Sequence, residues 1–202
     1  LKNDNSLPLS KNSKVLITGP NANSIRTLNG GWSYSWQGEK ADKYGEKQNT
    51  ILEAIKNNIG SDQVIYDPGV KYSEWGNYNN DEIVSIESAV EKSNEVDYII
   101  ACVGENSYTE KPGDINNLDL SDNQGKLLDA LLKTNKPVIL ILNEGRPRII
   151  SSYVERSKGI IQTYLPGNKG GDALALILFG DRNPSGKLPY TYPMHTSSFI
   201  NY

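Results

Sequence analysis

The sequence has one cysteine, one histidine and one methionine in 202 residues, and each scarcity removes a class of explanation. A single Cys102 excludes a disulfide framework, and with a lone His195 it excludes zinc sites built from cysteine and histidine. Cys102 lies inside an apolar run and reads as a small buried hydrophobe. Excess positive charge is also missing: 21 Lys and Arg stand against 24 Asp and Glu, for a net charge of -3. That balance, without runs of like charge, argues against a nucleic-acid footprint or a polybasic membrane patch. No apolar run nears the ~20 residues of a membrane-spanning helix. Leu1-Lys2-Asn3-Asp4 has neither an initiator methionine nor the charged-then-apolar pattern of a signal peptide, and it reads as a start inside a longer chain. There is no internal repeat and no low-complexity linker, so residues 1–202 read as one domain.

What is present is an alternation of short β-rich runs with helical patterns. The runs are Lys14–Thr18, Gln63–Tyr66, Val96–Val103, Pro137–Asn143 and Gly159–Leu165. Continuous rather than alternating hydrophobicity implies strands covered on both faces, as in a parallel sheet. Thr50-Ile51-Leu52-Glu53 and Ser121-Asp122-Asn123-Gln124 form capping boxes, followed by apolar residues at one-turn spacing. Helices are also expected over Asp81–Ser93 and Gly171–Gly180. The proline-rich Asn183–Pro193 reads as a tail or an edge strand. The expected fold is a doubly wound α/β sandwich, a mostly parallel six-stranded sheet with one antiparallel edge strand.

Ligands of open parallel sheets bind beyond the carboxyl ends of the strands, where this chain has long or unusual loops. About thirty residues, Gly19–Asn49, follow the first strand, and a connection that long is normally functional or disordered. It contains "GGWSYSWQG", whose Trp32 and Trp36 either plug the sheet edge or offer flat faces to sugar rings. The third strand runs into "GENSYTEKPGD", residues 104–114, with two glutamates and an aspartate. The fourth is followed by "NEGRPR", residues 143–148, where Arg146 and Arg148 either cap a helix or pair with a loop carboxylate. Residue types alone do not choose between Glu105 and Glu110. The glycines of "GNKGG" fit neither phosphate-loop fingerprint, and without a G-x-S-x-G elbow a serine triad has no support.

Four segments carry a resemblance: "LNGGWSYSWQG" (28–38), "VGENSYTEKPGD" (103–114), "LNEGRPRII" (142–150) and "LPGNKGGDALALILFGDRNPSGKLPYTYP" (165–193). In order and spacing they resemble the C-terminal α/β-sandwich domain of family 3 glycoside hydrolases, the β-glucosidases and exo-acting glucan hydrolases. The resemblance implies a retaining exo-β-glycosidase acting on β-linked glucosides or oligosaccharides. An N-terminal (β/α)8 barrel, absent here, would bring the aspartate nucleophile, and this domain the acid/base glutamate. The family's acid/base position falls on Glu110, and its indole at the leaving-group sugar falls on Trp36, with Trp32 close by. Tyr108, Asp114 and Arg146 are expected to support the loop, and Asn143 to Arg148 to brace it from the neighbouring strand end. Asp114, after Pro112-Gly113, suits an Asx-type turn.

A retaining pair needs two carboxyl groups about 5–5.5 Å apart, and the acid of such a pair must be held protonated by burial or a nearby anion. Lys111 is therefore expected to face solvent or pair with Asp114. No cofactor or metal is expected, because this chemistry needs only carboxylates, protons and water. The enzyme class implies a secreted or periplasmic location. The alternatives are a non-catalytic carbohydrate-binding domain and, more remotely, a nucleotide-binding domain.

Overall fold

The computed structural model describes residues 2–74 and 77–196. Its strands are β1 (Lys2–Asn3), β2 (Val15–Thr18), β3 (Val64–Tyr66), β4 (Val70–Tyr72), β5 (Asp81–Ile83), β6 (Tyr98–Gly104), β7 (Val138–Asn143) and β8 (Gly159–Gln162). Six of them form one sheet in the order β1-β8-β7-β6-β2-β3. All its pairings are parallel except that of β1 with β8. The antiparallel edge is thus the N-terminal Lys2–Asn3 and not Asn183–Pro193, which runs as irregular chain. Pro184, Pro189 and Pro193 each lack the N–H that a strand ladder needs.

The central strands β2, β6 and β7 are buried nearly throughout because helices cover both faces. Side chains alternate between two cores. Val15, Ile17, Ile100, Cys102, Ile139 and Ile141 meet Ile51 and Ile55 of α3 (Ile51–Ile59) and Leu174 and Leu178 of the last helix (Gly170–Leu178). On the other face Leu16, Ile99, Ala101, Val103, Leu140 and Leu142 meet Leu127, Leu128 and Leu131. Each such fully buried Ile or Leu contributes about 1.5–3 kcal/mol of transfer free energy. Burial also pushes the Cys102 thiol well above its ordinary pKa, in keeping with a packing role.

The Thr50 box forms as the spacing predicts: Glu53 N–H donates to Thr50 Oγ1 at 3.2 Å and Thr50 N–H donates to Glu53 Oε2 at 2.8 Å. At α5 (Asp122–Leu131) only half of the expected box forms. Ser121 Oγ accepts from Gln124 N–H at 3.2 Å. The Gln124 amide instead turns into the core, accepting from Gly104 N–H at 2.9 Å and donating to Asp81 at 3.1 Å.

That choice explains a second difference. Asp81 is held by Ser121, Asn123 and Gln124. Residues Asp81–Ile83 therefore stay extended and pair with β4, where a helix over Asp81–Ser93 was expected. The helix starts after Ser85, whose Oγ accepts from Ser88 N–H at 3.1 Å, and α4 spans Ile86–Ser93. The long connection after β2 also holds two short helices, α1 (Ile25–Asn29) and α2 (Ala41–Tyr44). After α5, α6 is Ser151–Val154 and α7 the helix Gly170–Leu178, with Gly180 just beyond it at φ +82°.

Candidate active site

Strand β6 ends at Gly104, and the next side chain, Glu105, turns inward. Its side chain is 0% exposed and receives Arg146 Nε at 2.8 Å, with Arg148 Nε 3.7 Å away. The N–H groups of Gly145 and Arg146 donate to its second oxygen at 3.1 and 3.3 Å. A carboxylate enclosed by two guanidiniums and two amides is a fixed counter-charge with no face left for substrate. Arg146 and Arg148 therefore pair with a loop carboxylate, one of the two roles open to them in the sequence.

Arg146 is also the brace expected from the β7 end. Its Nη2 donates to Gly113 O at 2.6 Å and to the Tyr78 hydroxyl at 2.9 Å. Its guanidinium lies 4.1 Å from the centre of the Tyr108 ring, which in turn sits 4.8 Å from the Tyr78 ring. Burial and Glu105 push the Tyr108 phenol up to about 12, so it stays a neutral ring under the cation. Tyr108 and Arg146 thus hold the 104–114 loop from below. Asp114 does less: its N–H donates to Lys111 O at 3.0 Å, while its exposed side chain makes no hydrogen bond among the described residues. The expected Asx turn is a backbone turn instead. Lys111 faces solvent, as expected.

Glu110 stands apart from this network. It is exposed, at φ +55° and ψ −154°, and caps the short turn Lys111–Gly113 with its carbonyl, which accepts Gly113 N–H at 2.8 Å. Such a backbone suits glycine and costs about 1–3 kcal/mol for other residues, so surrounding contacts must hold it.

Those contacts come from the aromatic loop. Trp32 N–H donates to Trp36 O at 2.8 Å, closing residues 32–36 into a turn. Gly31 and Gly38 bring that turn against the 107–109 backbone, and a Cβ at either would collide with Thr109 and Tyr108 or with Ser107. Arg26 Nε donates to Ser107 Oγ at 2.6 Å, and Ser107 Oγ donates to Gln37 O at 2.6 Å. The Gln37 amide then pairs with both backbone groups of Thr109, accepting its N–H at 3.0 Å and donating to its carbonyl at 3.1 Å. From the β8 side, Asn168 donates to the Tyr34 hydroxyl at 2.7 Å and accepts from Asn29 at 2.9 Å. Trp32 and Trp36 remain 69% and 47% exposed. They do not plug the sheet edge. Trp36 and Glu110 are each one residue from the Gln37–Thr109 pair.

A second buried carboxylate lies behind the site. Glu144 Oε1 accepts from the Tyr192 hydroxyl, from Gln162 at 3.0 Å and from Arg148 N–H at 3.1 Å, while Oε2 has no partner among the described residues. Desolvation outweighs these donors and raises its pKa from 4.5 to about 7. The unfolded chain therefore ionises first as pH rises, and stability is lost between about pH 4.5 and 7. Glu144→Gln is expected to flatten the fall in melting temperature across that window and to equal or exceed the parent at pH 7.5. Parallel pH-dependent melting curves for the two proteins would contradict this.

Against this geometry stand the comparisons with known proteins. The family description "Glycosyl hydrolase family 3 C-terminal domain" matches residues 1–202. The chain belongs to that family. It is 43% identical over 196 residues to a lysosomal β-glucosidase of Dictyostelium discoideum, covering 94% of this chain and 23% of that protein. It is 31% identical over 208 residues to a periplasmic β-glucosidase of Salmonella typhimurium, covering 93% and 26%. The chain thus spans about a quarter of the length of these curated relatives. Among solved structures, it is similar at TM-score 0.79 and 26% identity to a β-glucosidase of saponin metabolism from intestinal bacteria, covering 96% of this chain and 31% of that one. A β-glucosidase from Listeria innocua shares the fold, at TM-score 0.79 and 24% identity over 97% of this chain and 25% of that one.

Within this family 3 domain, the 104–114 segment and the loop that carries Trp32 and Trp36 meet at the carboxyl edge of the sheet. Gln37, Ser107, Arg26, Tyr78 and Glu144 were not singled out from the sequence. Their roles depend on contacts up to 81 residues apart, as between Arg26 and Ser107, and leave no local spacing signal.

Proposed function

We propose that residues 1–202 form one domain of a retaining, exo-acting β-glycosidase, a β-glucosidase that hydrolyses terminal β-D-glucosyl residues. Glu110 supplies the acid/base carboxyl, and Trp36 and Trp32 form the platform for the leaving-group sugar. The partner is an N-terminal (β/α)8 barrel carrying an aspartate nucleophile. The observation that carries this reading is the exposed Glu110, held on a costly backbone and joined through Gln37 and Thr109 to the loop that presents both indoles.

In the first step the aspartate attacks the anomeric carbon while Glu110 gives its proton to the departing oxygen. In the second, Glu110 takes a proton from water as the water displaces the aspartate. No group beyond carboxylates and water is called for. Lysosomal and periplasmic relatives support a location outside the cytoplasm, secreted or periplasmic.

The purified 202-residue chain, lacking a nucleophile, should show no measurable hydrolysis of an aryl β-glucoside. It should also show no saturable change in tryptophan fluorescence with cello- or laminari-oligosaccharides. Hydrolysis abolished by Glu110→Gln would contradict the two-domain reading. Tight oligosaccharide binding would instead favour a carbohydrate-binding domain, the reading that the exposed indoles alone would suggest.

A further inference from the structure

We propose that Gln37 is a positioning residue for Glu110, and that it ties the acid/base carboxyl to the sugar platform as one unit. The inference rests on Glu110 being the proton donor and goes beyond it. The residue before Glu110 is gripped at both backbone groups by one side chain: Gln37 accepts from Thr109 N–H at 3.0 Å and donates to Thr109 O at 3.1 Å. A primary amide paired in this way reproduces a strand-to-strand contact and fixes the Thr109 peptides in plane and direction.

On the far side of Glu110, Arg146 holds Gly113 O at 2.6 Å. Glu110 itself, at φ +55° and ψ −154°, has no side-chain hydrogen bond among the described residues. Its backbone is therefore set from its two flanks. The Gln37 flank is the one that moves with Trp36, because the Gln37 carbonyl also accepts from Ser107 Oγ, which Arg26 in turn holds at 2.6 Å. Without the amide, Thr109 N–H and C=O turn to water and the positive φ at Glu110 is no longer enforced. Small misplacements of a catalytic group can cost on the order of a hundredfold in rate.

The test is made in the full-length glycosidase with Gln37→Met, which keeps the side chain's length and apolar stem but removes its donor and acceptor. Two substrates are compared, an alkyl β-glucoside that needs a proton on its leaving oxygen and a dinitrophenyl β-glucoside that does not. The value of kcat/KM on the alkyl substrate should fall at least about tenfold, with less than about a threefold change on the dinitrophenyl substrate. If Gln37→Met does not fold, Gln37→Glu, which still accepts from Thr109 N–H, carries the same comparison with a smaller split. Equal losses on both substrates, or none, would overturn the proposal and leave Gln37 a packing residue. Glu110→Gln is run alongside: if it shows no such split, the assignment of Glu110 fails, and the role of Gln37 falls with it.

Discussion

Replacing Glu110 with Gln in the full-length glycosidase is expected to lower kcat/KM on alkyl and glucosyl substrates by about 10²–10⁴-fold, while sparing dinitrophenyl glucosides. The asymmetry follows from chemistry. A leaving oxygen of high basicity departs only with a proton, whereas dinitrophenolate leaves unaided. Under the proposed assignment, the same substitution also removes the base that activates water in the second step. On the activated substrate the glycosyl-enzyme then accumulates, so kcat and KM fall together while kcat/KM stays near the parent value. The exposed placement of Glu110, away from the Glu105 cluster, predicts little change in melting temperature. Steady-state kinetics on a leaving-group series checks this, and uniform loss across the series would contradict it.

The second large effect is on stability. Arg146→Ala removes the nearest counter-charge of Glu105, whose side chain is 0% exposed, and frees Gly113 O and the Tyr78 hydroxyl. Breaking a buried pair from one side typically costs about 3–5 kcal/mol. Arg148 Nε, 3.7 Å from the same carboxylate, offsets part of that. A loss of about 3 kcal/mol corresponds to a fall of roughly 6–12 °C in a domain of this size. Arg146→Lys should recover little, since one ammonium cannot hold Glu105 and Gly113 O and also cover the Tyr108 ring. The double variant Arg146→Met with Glu105→Gln should regain only part of the loss, because it removes the stranded Glu105 charge but leaves the buried Arg148 guanidinium without that counter-charge. Calorimetry of the four proteins decides it: if Arg146→Ala melts within 2 °C of the parent, the Glu105–Arg146 pair is not what holds the loop.

These two carboxylates mark where sequence reasoning stops. Both follow the same strand in one loop, and residue type does not tell them apart; only the family motif points to Glu110. Folding separates them through Arg146 and Arg148, which come from the end of a neighbouring strand and draw Glu105 inward. The sheet itself was readable because strands such as Val138–Asn143 are buried on both faces and so appear as unbroken apolar runs. Asp81–Ile83 was misread as helix because what holds it extended is a side-chain cluster 40 or more residues away. One antiparallel edge strand was expected, but not its place at Lys2–Asn3, because two residues are too few for a periodic signal. Gln37 had no signal of its own, since its meaning lies in Thr109, 72 positions further on.

The most direct measurement is the stereochemistry of the product that the full-length Glu110→Gly variant forms from dinitrophenyl β-glucoside in azide, read by NMR. If Glu110 is the acid/base carboxyl and the nucleophile lies elsewhere, azide enters the space that Glu110 leaves and attacks the glycosyl-enzyme from the β face. The expected product is β-glucosyl azide, formed faster than hydrolysis in the absence of azide. The α-anomer would mean that Glu110 is the nucleophile, and no azide adduct would mean that it takes no part in the reaction.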